Sequence, residues 1–212
     1  LHSQNDGGGG AGLNDFWNIM RTSELSAGGF LWSLFDEGIV RTDRNNMIDV
    51  NGVNAPDGIL GPHREKEGSF YAIREIFTPI YIPKETIHVS NLKSIPVENR
   101  YDFMGLKTHQ FKWQLVEFYS LNDYRTGYVV KIEDVINGID IQPGEKGSLD
   151  IPLPENYPEY DALVLEAYDP YGMQIMKWIW KITGNREIVI ELRYGMELGS
   201  SSLEESDSII FV

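Results

Sequence analysis

Apolar and polar positions alternate in two different rhythms along the chain. Leu13, Phe16, Trp17 and Met20 recur at i, i+3, i+4 and i+7, which places them on one face of a helix. Ser26 to Leu34 is a short, nearly continuous apolar run between glycines, the pattern of a strand buried on both faces. Residues 37–68 are polar and carry repeated turn signals: Asn51-Gly52, Ala55-Pro56-Asp57-Gly58 and Gly61-Pro62. A loop that long inside a compact unit is usually functional. Phe70, Ile73 and Phe77 then mark one face of a second helix, which Pro79 ends. Helix, buried strand, long loop, helix is the order of an α/β unit.

After Pro79 the period drops to two. Ile80–Ile82, Thr86–Val89, Lys112–Phe118, Tyr128–Ile132, Ser148–Ile151, Ala162–Tyr168 and Gln174–Ile182 read as strands. Pro83-Lys84, Asn122-Asp123, Pro143-Gly144 and Asp169-Pro170-Tyr171-Gly172 separate them, and short strands at this spacing predict a β-sandwich. Arg186–Arg193 is a further alternating stretch, 199–208 a polar linker, and Ile209–Val212 an apolar run at the chain end. The fold class expected is mixed, a short α/β segment followed by an all-β sandwich. An apolar C-terminal run and an N-terminus without Met both suggest a piece of a larger protein.

Composition narrows the partners. The 212 residues carry 18 Lys+Arg and 32 Asp+Glu, a net charge of −14. That balance argues against nucleic acid, whose binding is driven by cationic side chains, and against an anionic membrane surface. No apolar stretch approaches the length of a membrane span. Hydrophobic residues at 42% exclude wholesale disorder. Zero cysteines exclude disulfides and thiol catalysis, and leave the compartment, periplasmic or cytoplasmic, open.

Several motifs bear on chemistry. Residues 7–12 contain a G-x-G-x-x-G before a helix, but no buried strand precedes it, so they read as a loop rather than a nucleotide site. Asp43 to Met47 begins like a calcium loop, yet Met47 stands where an oxygen ligand is required, which favours a solvated turn. His2, His63, His88 and His109 have no metal-ligand spacing. Trp32, Asp36 and Glu37 lie where strand ends face a ligand crevice. Trp32 is either a stacking surface for a sugar or core, and the two acids are either functional or solvated. Being adjacent, Asp36 and Glu37 point to opposite faces and cannot flank one bond. Trp113, Phe118, Tyr119, Trp178 and Trp180 fit a sandwich core better than a carbohydrate platform, because aromatics favour half-buried strands.

Gly28-Gly29-Phe30-Leu31-Trp32 followed by Asp36-Glu37-Gly38 resembles the last barrel strand of glycoside hydrolase family 2, the β-galactosidase family. Residues 55–62 and Arg64 to Tyr71 are similar to the stretch joining that strand to the last barrel helix. Leu1-His2 and Gly12-Leu13-Asn14-Asp15-Phe16-Trp17 resemble the segment after the nucleophile strand. The resemblance implies that residues 1–79 are the incomplete C-terminal end of a TIM, or (β/α)₈, barrel and 80–183 an immunoglobulin-like β-sandwich. Residues 184–212 would then be a linker and the start of a further β domain.

The implied activity is a retaining exo-β-glycosidase in which two glutamates flank the bond. Matching the family's Glu-aromatic-x-His pattern to His2 sets the nucleophile two positions before Leu1, and the acid/base further upstream. The chain alone is therefore expected to be inactive, with no catalytic residue of its own and carbohydrate, a β-galactoside or related sugar, as the partner. His2 matches a histidine that hydrogen-bonds the sugar, Trp32 the floor of the subsite, and Asp57 a position where β-galactosidases carry an Asn contacting sugar and a cation. The resemblance leaves room for a Mg²⁺ or Na⁺ ion in the parent enzyme and assigns no ligand here. An isolated barrel segment would bury its apolar faces against the sandwich or self-associate.

Overall fold

Six of the strands follow directly from alternation. The structure, a computed structural model, describes residues 12–50, 57–83, 87, 91–120 and 123–182. Two α-helices and nine strands form among them: α1 (Leu13–Thr22), β1 (Ile39–Arg41), β2 (Met47–Asp49), α2 (Gly68–Ile76), β3 (Ile80–Tyr81), β4 (Ser94–Asn99), β5 (Gln110–Phe118), β6 (Tyr128–Asn137), β7 (Lys146–Asp150), β8 (Ala162–Tyr168) and β9 (Gln174–Lys181). The expected strands at 86–89 and 186–193, and the segment 184–212, lie outside the described residues.

Strands β3 to β9 build a sandwich of two antiparallel sheets, ordered β3-β4-β7 and β6-β5-β8-β9. Every second residue points inward: Phe111, Trp113 and Leu115 on β5, Leu163, Leu165 and Ala167 on β8, Met176, Trp178 and Trp180 on β9. Ile95 and Val97 of β4 and Leu149 of β7 meet them from the other sheet, so one continuous core lies between the layers. The β8–β9 turn is held by Asp169, whose Oδ1 accepts the amides of Tyr171 at 2.9 Å and Met173 at 2.8 Å. Gly172 in that turn has φ +81°, a conformation only glycine adopts without strain.

Strand β4 went unrecognised in the sequence because Pro96 sits within it. It is tolerated because β3 pairs only with Glu98 and Asn99, so at Pro96 the strand has β7 on one edge and no β3 residue on the other. The β1–β2 hairpin was likewise hidden in the polar loop. Its turn passes through Asn45 and Asn46 at φ +54° and +58°, left-handed values that asparagine accepts better than most residues. Arg41 clasps it, bonding Asp49 at 2.8 Å across the strands and Asp43 at 2.7 Å.

Helix α1 carries Asp15 in its first turn and Arg21 in its last, matching the helix dipole. Its Trp17 ring lies 4.7 Å from Phe77, just past the end of α2. Arg21 reaches Glu98 of β4 at 3.1 Å, and Arg74 of α2 donates to the Ile175 carbonyl of β9 at 3.1 Å. These polar contacts tie both helices to the sandwich.

The run 26–34 departs from expectation. It forms no strand, Phe30 is fully exposed, and Leu34 is exposed as well. A strand buried on both faces needs partners on two edges and apolar cover on two sides. Among the described residues, only 33–36 gains a partner, and on one edge alone. Among the described residues of 12–79 no barrel sheet is seen, and their one parallel bridge is Phe35–Leu60.

Candidate functional site

The residues singled out at 32–37 and 57 meet through main-chain pairing. Ser33 N donates to the Asp57 carbonyl at 2.9 Å, and Ile59 N to the Ser33 carbonyl at 3.0 Å. Leu60 N donates to Leu34 O at 3.0 Å, and Asp36 N to Leu60 O at 2.9 Å. Two short segments, 33–36 and 57–60, thus run side by side in parallel. Trp32 and Asp57 become neighbours at one end of this ladder, although they are far apart in sequence.

Asp36 completes the ladder. Its carboxylate is buried, and Oδ1 accepts the Gly58 amide at 2.7 Å. The position opposite must be glycine: a Cβ on residue 58 would stand 2.2 Å from Asp36 N and 2.4 Å from the Phe35 carbonyl carbon. Both contacts are with rigid backbone, so no side-chain movement could relieve them. Beyond the ladder, Leu60 turns back to bridge Lys66, and Glu65 caps the turn by accepting the His63 amide at 2.8 Å.

The side chains divide clearly. Trp32 is 59% exposed, and its peptide bond to Ser33 is cis. Asp57 is half-buried, whereas Asp36 is inward and Glu37 outward. The two adjacent acids point apart, as strand alternation requires. No carboxylate pair faces a common point here. The Trp32 ring takes no part in a core built by the described residues. His2 lies outside the described residues. The solvated-turn reading of Asp43 agrees with its bonds to Arg41.

The sandwich aromatics resolve the other way. Trp113, Trp178 and Trp180 are buried between the sheets, so they form no platform for a sugar. Phe118 and Tyr119, at the end of β5, are more open, and the Arg125 guanidinium lies 4.3 Å from the Tyr119 ring centre. No three His, Asp or Glu side chains gather as a metal site among the described residues. The described residues therefore offer no such set for the Mg²⁺ or Na⁺ ion that the resemblance allows in the parent enzyme. No helix among the described residues is long and apolar enough to cross a membrane.

A separate cavity of about 350 Å³ lies between α1, residues 23–28 and the start of the sandwich. Trp17, Met20, Arg21, Phe77, Arg100 and Asp102 line it. Arg21 and Arg100 converge on one oxygen of Glu98, at 3.1 and 3.2 Å. Neither Trp32 nor Asp57 lines this cavity. The buried clamp formed by Asp36 and Gly58 was also missed. The sequence signal for it was the isolated Asp-Gly at 57–58, which reads equally well as an ordinary turn.

No protein-family model matches the sequence, and no curated protein matches it. Solved structures with partial similarity are chains of the Amycolatopsis orientalis exo-chitosanase CsxA. The enzyme itself and a variant in complex with PNP-β-D-glucosamine each show 12% identity at a TM-score of 0.35, covering 59% of this chain and 13% of theirs. The exo-β-D-glucosaminidase CsxA in a structure with inhibitors shows the same identity and TM-score over 80% of this chain and 18% of its own. The present chain spans less than a fifth of the length of these proteins.

Proposed function

We propose that this chain is part of a retaining exo-β-glycosidase of the β-galactosidase type, supplying the floor of the sugar subsite and the sandwich behind it. Both catalytic glutamates belong to sequence N-terminal to Leu1, and the chain alone is inactive. In this reading residues 1–79 belong to the barrel, 80–183 form an immunoglobulin-like sandwich, and 184–212 lead into a further β unit. The apolar side chains exposed between Phe16 and Val40 fit an interface with the remainder of the barrel.

The observation that supports this reading is the parallel pairing of 33–36 with 57–60. It brings the main chains at Trp32 and Asp57 together, with the indole exposed and one carboxylate oxygen of Asp57 buried, and both residues are ones the family motif implies. An indole face stacks on the apolar face of a pyranose, and a carboxylate accepts hydrogen bonds from its hydroxyls. His2 is assigned a further hydrogen bond to the sugar. Hydrolysis with retention also needs two carboxyl groups about 5–5.5 Å apart. Asp36 is consumed by Gly58 and Glu37 points away, so this surface offers binding without acid–base chemistry. A non-catalytic module using the sandwich aromatics is disfavoured, because Trp178 and Trp180 are buried.

The test is hydrolysis of an aryl β-galactoside by the purified chain, alone and mixed with a polypeptide carrying the upstream barrel strands. Background rates alone, with turnover on mixing, are expected. Turnover by the chain alone would overturn the proposal and direct attention to the acids of residues 36–67.

A further inference from the structure

We infer that Asp36 is the positioning residue of this subsite: through the Gly58 amide its buried carboxylate holds residue 57 beside Trp32. The role rests on the sugar-subsite reading proposed above. Its physical basis stands separately.

Four main-chain hydrogen bonds join 33–36 to 57–60, yet the Gly58 amide is served by none of them. Asp36 Oδ1 takes it at 2.7 Å, the length of a charge-assisted bond. Both groups are buried, so loss of the carboxylate would leave an amide with neither water nor protein to accept it. The backbone approach is close enough that residue 58 has no room for a Cβ, which means the clamp and the ladder share one geometry. Asp57 precedes the clamped amide directly, and its own carbonyl accepts Ser33 N beside Trp32. Release of Gly58 therefore loosens the residue proposed to contact sugar, while Trp32 remains on the other segment. Asp36 touches no sugar in this scheme. It acts by fixing the distance between two residues that do.

The experiment uses the full chain with Asp36→Ala, which removes the acceptor, and Asp36→Asn, which keeps an oxygen for the Gly58 amide. Hydrogen exchange of the Gly58 amide and calorimetric affinity for methyl β-D-galactoside are read together, with Trp32→Ala as the binding control. Asp36→Ala is expected to speed exchange at Gly58 and weaken the glycoside by about tenfold or more each, the scale of one lost buried charged bond. Asp36→Asn is expected to stay within about threefold of the parent chain in both, since its amide oxygen still accepts. Unchanged exchange in Asp36→Ala overturns the clamp. Faster exchange with unchanged affinity overturns positioning. A parent chain that binds no glycoside overturns the subsite reading and this role with it, while the exchange result still decides the clamp itself.

Discussion

Replacing Trp178 with alanine separates a core residue from a sugar platform. The ring is only 3% exposed and lies in the sandwich core, with Leu165 as its cross-strand partner. Removing a buried indole costs its transfer free energy and leaves a cavity, together about 3–5 kcal/mol. Whole-domain stability is about 5–15 kcal/mol, so about a fifth or more of it disappears. Each 1 kcal/mol moves the midpoint of a unit this size by about 4–8 °C, and Trp178→Ala should therefore melt roughly 12 °C or more below the parent chain. Ile179→Ala is the control, because Ile179 follows on the same strand, faces outward and is 49% exposed. It should stay within about 0.5 kcal/mol of the parent. Urea unfolding followed by far-ultraviolet circular dichroism gives both numbers, with equal slopes showing that the same surface is exposed on unfolding. A loss below about 1 kcal/mol in Trp178→Ala, close to the average for any substitution, would refute the packing argument.

Three further outcomes follow from the packing and charge pairs of the sandwich. Burial holds the His109 imidazole below its ordinary value near 6.5, with Tyr101 3.4 Å from its Nε2 and the charge of Asp169 opposing the shift only in part. The unfolded chain then binds more protons in the window from 6.5 down to the lowered value, so the stability His109 contributes is full above 6.5 and is lost across that window. His109→Gln should flatten this part of the stability–pH profile, and identical profiles for the two chains would contradict it. Trp113 Nε1 is buried without an acceptor. Trp113→Phe should consequently cost under about 1.5 kcal/mol by urea unfolding, since the lost packing is offset by removal of an unsatisfied donor. Glu98→Gln takes away the carboxylate shared by Arg21 and Arg100. It should cost about 1–3 kcal/mol in the same assay, as a half-buried guanidinium loses its counter-charge, and no change would show that the contact is only superficial.

How much could be read in advance depended on whether a residue's role was set locally. Ala162–Tyr168 was legible because its alternation and its burial follow from one sheet geometry. Helix α1 was legible from the spacing of Leu13, Phe16, Trp17 and Met20. Strand β4 was hidden because the cost of Pro96 depends on how far β3 extends, which no local pattern encodes. The run 26–34 was misread for a related reason. Apolar composition reports a wish to be buried, and only neighbouring strands can grant it. Within the site, Trp32 and Asp57 came from the family motif, but nothing in their side chains announced that main-chain bonds would join them. Asp36 read as one of two acids, either functional or solvated, and its burial overturns the solvated reading. Its partner is a backbone amide at residue 58, and main-chain donors carry no signature in sequence.

The proposed sugar floor lies at Trp32 and Asp57. The most direct measurement is calorimetric titration of the full chain and of Trp32→Ala with methyl β-D-galactoside. Saturable binding at about the millimolar level, near 4 kcal/mol, is expected, and Trp32→Ala is expected to abolish it. Binding left intact by Trp32→Ala, or no binding by the parent chain, would contradict it.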